Sequence, residues 1–384
     1  MIENEPVYFD YAATTPLDKE IAEQMLPYMT RCFGNASSIH SFGRDARQAA
    51  AAGRAQVAAL LGAAPAEIFF TSGGSESDNW ALKGIALANR DKGNHIITTA
   101  IEHQAVLRSC HWLESQGFQV TYLPVDSKGR IRMAELRAAV TAQTILISVM
   151  AANNEIGTIE PLEEIGRFAR AQGIFFHTDA VQAAAHIPLD VHAMSVDALS
   201  LSAHKFYGPK GIGALYLRPG IPIQPWLHGG AQERGLRAGT ENVAGIVGMG
   251  LAAERGAERM MSERKHLLAL RELLLDGLQD VAGIQMNGDL ICRLPGNVNF
   301  SIAGIANEAL MIRLDMAGFA VSAGSACSAG SLEPSHVLLA LGQSPAQASS
   351  AIRISLGAEN TEGQITRFLE VLHQSVHQIR QSRS

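Results

Sequence analysis

The feature that most constrains the fold of this chain is an alternation of short β-rich runs with helix-like stretches. The first run, EIFFTSGG, leads into a helix that is expected to begin near Glu76. Further runs follow in HIITTAIEH, FQVTYLPVD, TILISVMAANNE and GIFFHTDAVQ, with helix-like segments such as MAELRAAV and LEEIGRFARAQG between them. This rhythm predicts an α/β sheet covered by helices on both faces. DALSLSAHKFYG and GIGALYLR extend the sheet, the second as a candidate antiparallel strand.

The remainder of the chain predicts a smaller α+β lobe. A long helical stretch beginning VAGIVGMGLAAERG, read as one or two helices, leads to NVNFSIAG, ALMIRLDMAGFAVSAG, AIRISLG and a final helix, ITRFLEVLHQSVHQIR. A chain of 384 residues is long enough for two domains. We therefore expect a large domain over 16–255 and a small domain formed by 1–15 and 256–384.

Charge, hydropathy and cysteine spacing exclude several classes of protein. The formal net charge is -6, without a block of lysine or arginine, so no nucleic-acid partner is expected. No apolar run approaches the roughly 18 residues of a membrane span, and the start lacks the pattern of a signal peptide. The four cysteines are far apart and form no CxxC pair, so neither a zinc site nor a disulfide framework is expected. These features favour a reduced, cytoplasmic protein.

The segment TSGGSES, residues 71–77, places two glycines between the end of a β-rich run and the start of a helix. Backbone N–H groups and the positive end of the helix would then converge on one point beside the Ser75 hydroxyl, which is the geometry of a phosphate-binding cup. The same residues also suit an ordinary helix cap, so this segment alone leaves both interpretations open.

Asp179 comes at the end of the apolar run in FFHTDAVQ. In open α/β sheets, ligands bind at the carboxyl ends of the strands, so Asp179 is a candidate ligand group. On this motif alone, a cap for the following helix is at least as good an interpretation.

Lys205 lies in SAHKFYGPKG, after an apolar run and before a Gly/Pro turn. Most lysines are solvated, with a pKa of about 10.4, and an isolated lysine here would usually be a surface residue. Desolvation near a strand end lowers the pKa, however, and Schiff-base chemistry needs a neutral amine.

The three motifs together point to a single site. A phosphate cup, an acid at a strand end and a candidate Schiff-base lysine, in that chain order, are what a pyridoxal phosphate site requires. They would hold the phosphate, keep the pyridine nitrogen protonated and bind the aldehyde carbon.

The sequence resembles the cysteine desulfurases of the NifS/IscS type, in the class V aminotransferase group of fold-type I pyridoxal phosphate enzymes. The resemblance runs over nearly the whole chain, and RAGTENV and SLEPSHVL make it slightly closer to the NifS branch. It implies an α/β fold with a large domain built on a mostly parallel seven-stranded sheet, a smaller α+β domain, and a homodimer. The matching motifs are YFDYAATTP, FGNASS with SFG, TSGGSESDN, EHQAVL, NNEIG, HTDAVQ, SAHKFYGPKGIGALY, ERGLRAGTENV, GSACSAGSLEPSHVL and IRISLG.

The resemblance implies a role for each matching residue. Lys205 would bind pyridoxal phosphate covalently, and His103 would stack on its ring and move protons. The residues that would bind the cofactor phosphate are Gly74, Ser75, Ser202, His204 and, from the other subunit, Thr240. Those that would contact the cofactor ring are Asp179, Gln182 and Asn154.

The substrate implied by the resemblance is L-cysteine. Arg353 would bind its carboxylate with a planar guanidinium fork, assisted by Asn35 and with Asn154 nearby. Without the family, other interpretations stay open: His103 and His204 as core histidines with satisfied hydrogen bonds, Arg353 as an ordinary surface pair.

Cys327, in the segment SAGSACSAGS, is the implied nucleophile. Its thiolate would take the sulfur of L-cysteine as a persulfide, leaving L-alanine, and deliver it to a sulfur acceptor or an iron–sulfur scaffold protein. A segment of Ser, Ala and Gly has the backbone freedom to reach both the pocket and an acceptor. No resident metal is expected, although the Cys327 persulfide could contact an iron–sulfur cluster transiently.

Two other functions fit parts of the sequence. One is a selenocysteine lyase, or another class V lyase or aminotransferase, and the loop that carries a thiol argues against it. The other is a non-catalytic scaffold or partner in sulfur assembly. The presence of Lys205, Asp179 and Cys327 argues against that function.

Overall fold

The computed structural model describes residues 6–323 and 334–381. The strands of this part of the chain are β1 (Val7–Tyr8), β2 (Ile68–Thr71), β3 (His95–Thr99), β4 (Gln119–Leu123), β5 (Thr144–Ser148), β6 (Phe175–Asp179), β7 (Ala198–Ser202), β8 (Gly213–Leu217), β9 (Ile284–Met286), β10 (Asn297–Ile302), β11 (Phe319–Ala320) and β12 (Ala351–Ser355). The helices are α1 (Lys19–Thr30), α2 (Ser41–Leu60), α3 (Gly74–Ala88), α4 (Gln104–Ser115), α5 (Met133–Ala139), α6 (Leu162–Ala171), α7 (Val243–Leu278), α8 (Asn307–Met316), α9 (His336–Ala340), α10 (Pro345–Ala348) and α11 (Glu362–Gln381).

Seven strands form the large sheet, in the order β2-β8-β7-β6-β5-β3-β4. Strand β8 runs antiparallel to both of its neighbours, and the other pairs are parallel. The predicted fold class, an α/β fold with a mostly parallel seven-stranded sheet, is therefore confirmed, as is the antiparallel strand.

Three inner strands are buried at every position because helices cover both faces of the sheet. All residues of β5, β7 and β8 are buried, which explains their nearly continuous apolar sequences. Neighbouring residues in a strand serve opposite faces. Leu146 packs in a core with Trp80 of α3, whereas Ile147 packs in a core with Val57 of α2.

A close approach shapes the edge of the sheet at the start of β8. A Cβ atom added to Gly213 would lie 2.6 Å from the Cα atom of Gly73, in the turn between β2 and α3. Glycine at 213 therefore lets β8 pack against the turn that precedes α3.

A second core lies beside the large sheet. It is built on the antiparallel sheet β12-β10-β9 and the parallel pair β1-β11. Its buried side chains come from both ends of the described chain, with Phe9 in contact with Phe319 and Phe368. This arrangement contains the elements expected for a smaller α+β lobe.

Helix α7 contributes to both cores. Its first half places Ile246 and Met249 in the core of the large sheet, and its second half places Leu270 and Leu274 in the second core. The expected limit between 255 and 256 falls inside this continuous helix, so the domain limits stay a prediction.

Two local expectations differ from the structure. Helix α3 begins at Gly74 rather than near Glu76, because the backbone turns directly after Gly73. Cys32, expected in a helical stretch, lies just beyond the end of α1 at Thr30. Within the described ranges, no helix combines the length and the apolar character needed to cross a membrane.

Candidate active site

A pocket of about 230 Å³ opens at the carboxyl ends of β3, β5, β6 and β7, beside the first turn of α3. This is the edge at which open α/β sheets bind ligands. The structure brings together most of the residues that the sequence singled out. The lining includes Gly74, Ser75, His103, Asn154, Asp179, Gln182, Ser202, His204, Lys205 and Arg353.

Three predicted residues are not part of this lining. Asn35 is exposed, and its Oδ1 accepts a hydrogen bond from the Ser37 amide at 2.9 Å. Thr240 is also exposed and borders a separate cavity of about 80 Å³. Cys327 lies outside the described residues. The roles of all three stay predictions.

Lys205 lies in a short 3-10 turn that follows β7. Its Nζ donates hydrogen bonds to the carbonyl oxygens of Ala12 at 2.6 Å and Ala13 at 2.8 Å. Its own carbonyl accepts a hydrogen bond from His186 Nε2 at 3.0 Å. The lysine is therefore half-buried and fixed at both its backbone and its amine, rather than extended into solvent.

Asp179 is the last residue of β6, and it is buried. One of its oxygens accepts a hydrogen bond from the Val181 amide at 2.9 Å. Burial holds the pKa of Asp179 above its ordinary value, although His103, the Val181 amide and Lys205 act in the opposite direction. The carboxyl group therefore faces two cationic or potentially cationic side chains in a dry environment.

The first turn of α3 is suited to an anion. The N-cap residue is Gly73, which has no side chain to cap the first amide groups of the helix. Ser75 and Ser202 add hydroxyl groups to the same side of the pocket. A helix N-terminus with free space before it favours a phosphate group.

His204 stands beside this turn as a neutral imidazole. Its Nδ1 lies 3.1 Å from the Thr14 hydroxyl. Burial lowers the pKa of His204 to about 4, and the nearby charges of Lys205 and Lys210 act in the same direction. It can therefore contribute a neutral N–H donor to an anion at pH 7.

His103 caps α4, since its Nδ1 accepts a hydrogen bond from the Ala105 amide at 3.1 Å. The half-buried ring also lines the pocket. The capping role and the predicted role as a ring-stacking residue are therefore compatible, because the cap uses Nδ1 at the edge of the ring and stacking uses the face of the ring.

Arg353 is a buried residue of β12, with 1% of its surface exposed. Its Nη2 donates to Asp10 Oδ1 at 2.6 Å, and its Nη1 donates to the carbonyl oxygen of Asn154 at 2.8 Å. The interpretation as an ordinary surface pair is thus wrong. The guanidinium group joins the second core to the pocket and is held in one orientation.

The resemblance assigns Arg353 to the carboxylate of L-cysteine, so we expect Arg353→Gln to reduce kcat/KM for L-cysteine by about a hundredfold or more, mainly by raising KM. Hydrogen bonds to charged groups are worth about 1.5–3 kcal/mol each, and the guanidinium fork can make two to a carboxylate. Steady-state kinetics and the melting temperature would be measured together. The matched control is Arg132→Gln, which removes an exposed partner of Glu135; equal losses in both variants would contradict the assignment.

Several polar residues of the pocket were missed by the sequence analysis. They are Asp78, Gln104, Glu155 and His336, which line it, and His177, which lies beneath it. Asp78 could have been found because it lies four residues after Gly74, on the same face of α3. His177 precedes Asp179 by two residues and therefore points to the same face of β6. Nothing in the sequence placed His336 near His103.

Glu102 is a buried acid directly below the pocket. Its Oε1 accepts hydrogen bonds from the Thr99 hydroxyl at 2.8 Å and the Met150 amide at 3.0 Å, and its carbonyl accepts one from His336 Nε2 at 3.0 Å. Burial raises the pKa of Glu102 to about 8, above its ordinary value of 4.5. At pH 7, the folded protein therefore holds this side chain as a neutral acid.

We expect the stability contributed by the Glu102 proton to be full below about pH 4.5 and to be lost as the pH rises through about 8. Between these values the folded state keeps a proton that the unfolded state releases. Glu102→Gln cannot ionise, so its melting temperature should rise relative to wild type between pH 5.5 and 8. The control is Glu258→Gln, on the exposed side of α7; a difference that is independent of pH would contradict the prediction.

One cluster among the described residues has the donor types and spacing to hold a metal ion. It consists of Asp78, His103 and Asp179, whose ligand atoms lie within 4.8 Å of one another. The cluster is part of the same pocket, so a metal ion and an organic cofactor would compete for this space.

The comparisons with known proteins agree with this geometry. The aminotransferase class-V family model matches residues 7–368. A relative from Clostridium botulinum described as cysteine desulfurase IscS is 53% identical over 381 residues, covering 98% of this chain and 96% of the relative. The solved structure of a NifS-like protein has a TM-score of 0.92 and 41% identity, covering 97% of this chain and 99% of that one. A structure described as SspA in complex with cysteine has a TM-score of 0.82 and 39% identity, covering 92% and 99%.

The chain therefore belongs to the class-V aminotransferase family. Within that family, it belongs to the NifS/IscS-type cysteine desulfurases, and it is an enzyme of that type. The resemblance that the motifs indicated is thus confirmed.

Proposed function

We propose that the pocket binds pyridoxal 5′-phosphate through Lys205 and removes the sulfur of L-cysteine, releasing L-alanine and passing the sulfur through Cys327 to an acceptor. The convergence of Lys205, Asp179 and the first turn of α3 on one cavity carries this proposal. Each of these three elements matches a different part of the cofactor: the aldehyde, the pyridine nitrogen and the phosphate.

The donor set of the pocket fits this cofactor. The buried Asp179 carboxyl, with the nearby cationic partners described above, suits a protonated ring nitrogen. The uncapped turn at Gly74, with Ser75, Ser202 and the neutral His204, suits a phosphate. Gln182 is held against the N-terminal segment, since its Nε2 donates to the Ala12 carbonyl at 3.0 Å, and its carbonyl oxygen stays available to accept a hydrogen bond.

The bound cofactor would draw electrons from the α-carbon of the substrate, which weakens the bond between Cβ and sulfur. Arg353 would bind the substrate carboxylate, and its contact with the Asn154 carbonyl fixes the direction of approach. Lys205 Nζ and His103 Nε2 are the groups placed to carry protons to and from the substrate carbons.

The sulfur step balances without an external oxidant. The Cys327 thiolate attacks the sulfur as the bond to Cβ breaks, and Cβ takes a proton and becomes the methyl group of alanine. The transferred sulfur stays on Cys327 as a persulfide, which an acceptor thiol can take over. An iron–sulfur scaffold protein is one acceptor that we propose, as the resemblance to the NifS/IscS-type cysteine desulfurases implies.

A homodimer would complete the site. Thr240 and Asn35 are exposed and lie outside the pocket of their own chain. We propose that Thr240 reaches the phosphate of the partner subunit. We propose that the protein works in the cytoplasm, where thiols stay reduced.

The test is to load the pure protein with pyridoxal phosphate and add L-cysteine with dithiothreitol. We expect a visible band that shifts on adding L-cysteine, and equal amounts of alanine and sulfide. A protein that carries the cofactor and forms no alanine would contradict the proposal. A much higher rate on selenocysteine would instead identify a selenocysteine lyase.

A further inference from the structure

Glu76 is an acidic residue in the first turn of α3, next to the residues proposed to bind the cofactor phosphate. Its Oε2 accepts a hydrogen bond from the Ser72 amide at 2.6 Å, in the turn between β2 and α3. Gly74 and Ser75 of the same turn line the pocket, whereas Glu76 does not. The helix dipole favours a carboxylate at this end of a helix, but this carboxylate also places a negative charge beside the position proposed for a second anion.

Glu76 carries its charge at pH 7. Burial raises the pKa of Glu76, but hydrogen bonds from Arg237 and Ser72 outweigh this effect and hold the pKa below its ordinary value of 4.5. The side chain is 11% exposed, so water and salt screen the charge only in part. Without a cation beside it, this carboxylate would therefore oppose the binding of a phosphate group at the first turn of α3.

Arg237 supplies the opposite charge. Its Nε donates to Glu76 Oε1 at 2.8 Å, and its Nη2 donates to Glu76 Oε2 at 3.1 Å. This is the two-point geometry that makes a guanidinium–carboxylate pair strong and specific. Arg237 borders the separate cavity of about 80 Å³ and does not line the pocket itself. Its effect on an anion in the pocket is therefore exerted through Glu76.

The segment that carries Arg237 is fixed to the strand that leads into α3. Arg234, three residues earlier, donates hydrogen bonds to the carbonyl oxygens of Ala66 and Ile68, at 2.7 Å each. Ile68 is the first residue of β2, and β2 runs directly into the turn before α3. The guanidinium group of Arg237 and the carboxylate of Glu76 thus share one support, which keeps them in register.

We propose that Arg237 is a positioning residue that pairs with Glu76, so that the first turn of α3 presents no free negative charge to the cofactor phosphate. The identity of this anion rests on the proposed function, whereas the pairing stands on the contacts of the chain alone. Without Arg237, Glu76 keeps its charge and its hydrogen bond from Ser72, and the turn binds an anion less well. Removing the charge of Glu76 as well should then restore binding, which separates this role from a direct contact or a purely structural one.

The first test measures the dissociation constant of pyridoxal phosphate for the cofactor-free protein at pH 7. Arg237→Gln should raise it by about tenfold, because loss of one partner leaves the other charge unpaired in a partly buried place. Arg237→Gln combined with Glu76→Gln should return it to within about threefold of wild type, since glutamine keeps an acceptor for the Ser72 amide. Pyridoxal, which lacks the phosphate, should bind wild type and Arg237→Gln equally well.

The second test uses inorganic phosphate and does not depend on the cofactor. A ligand that binds the folded state raises the melting temperature, so phosphate should stabilise the cofactor-free wild type. The rise should be less than half as large in Arg237→Gln and should recover in the double variant. The matched control is Arg137→Gln, which removes an exposed partner of Glu164 and should match wild type in both tests.

Three results would overturn the inference. Equal losses of affinity for pyridoxal phosphate and pyridoxal in Arg237→Gln would show a structural role, and a double variant as weak as Arg237→Gln would show that Arg237 does not act through Glu76. If Arg237→Gln did not fold, Glu76→Gln alone would decide, because it should bind pyridoxal phosphate at least as tightly as wild type, and a tenfold weaker affinity would contradict the inference. A wild type that bound no pyridoxal phosphate would contradict the proposed function; this inference would fail with it only if inorganic phosphate also affected wild type and Arg237→Gln equally.

Discussion

Replacing Lys205 by alanine is expected to abolish turnover of L-cysteine, with a loss of at least about a thousandfold, because in the proposed mechanism this residue supplies both the covalent attachment to the cofactor and a proton carrier. Among the described residues that line the pocket, Lys205 is the one with a primary amine. Borohydride reduction followed by mass spectrometry would measure the attachment. Wild type should gain the mass of the cofactor irreversibly, and Lys205→Ala should release the cofactor on gel filtration.

The matched control for this variant is Lys210→Ala. Lys210 lies five positions later, in the same Gly/Pro segment, and it is exposed. It should keep the reducible attachment and most of the activity. A Lys205→Ala protein that still fixes cofactor after reduction would show that another lysine forms the bond, and our assignment of the site would then be wrong.

Transfer of sulfur to an acceptor should fall below detection in Cys327→Ala, whereas the cofactor band and its shift with L-cysteine should persist. Other thiols are poorly placed to replace it. Cys110 is buried and burial raises its pKa above the ordinary range for a thiol, and Cys32 and Cys292 do not line the pocket. The measurement is sulfur-35 from labelled L-cysteine retained on the protein in a non-reducing gel.

The described residues on either side of Cys327 support this expectation. Ser322 exchanges backbone hydrogen bonds with Arg353, at 2.6 and 3.2 Å. On the other side, the Ser335 hydroxyl donates to Glu155 Oε2 at 2.5 Å. The described residues that flank 324–333 on both sides therefore bond to residues that line the pocket, Arg353 and Glu155.

Cys292→Ala serves as the control, since Cys292 is half-buried and lies in a turn capped by Asp289. This variant should keep the label at the wild-type level. If the label persisted in Cys327→Ala and disappeared in Cys292→Ala, Cys292 would be the residue that accepts the sulfur, and the assignment of Cys327 would be wrong.

The alternation of apolar runs and helical segments predicted the large sheet well, because fully buried parallel strands need long apolar sequences. The runs around Ile147 and Leu199 are examples in which every residue of the strand is buried. The first residue of a helix was less predictable. Helix α3 starts two residues before Glu76 because a glycine turn, rather than a side-chain cap, precedes it.

The site was predictable where residues near each other in the sequence determine it. The turn at Gly74, the strand end at Asp179 and the turn at Lys205 all follow local patterns, and parallel strands bring their ends to one edge. The ion pair of Arg353 with Asp10 was not predictable, because it joins residues from opposite ends of the chain. The protonation of buried acids such as Glu102 could not be predicted from the sequence either, since it depends on burial and on neighbours from several elements.

The contact between Arg353 and Asp10 has a consequence for the order of synthesis. The last strand of the large sheet ends at Leu217, so all strands of this sheet have been synthesised long before residue 353. Chains generally fold from the N-terminal part first as they emerge. The segment around Phe9 pairs with Ala320 and Ser355, and it must wait for both of these residues. The wall of the pocket formed by Arg353 is therefore completed after the large sheet, once residue 353 has been synthesised and can meet the segment around Phe9.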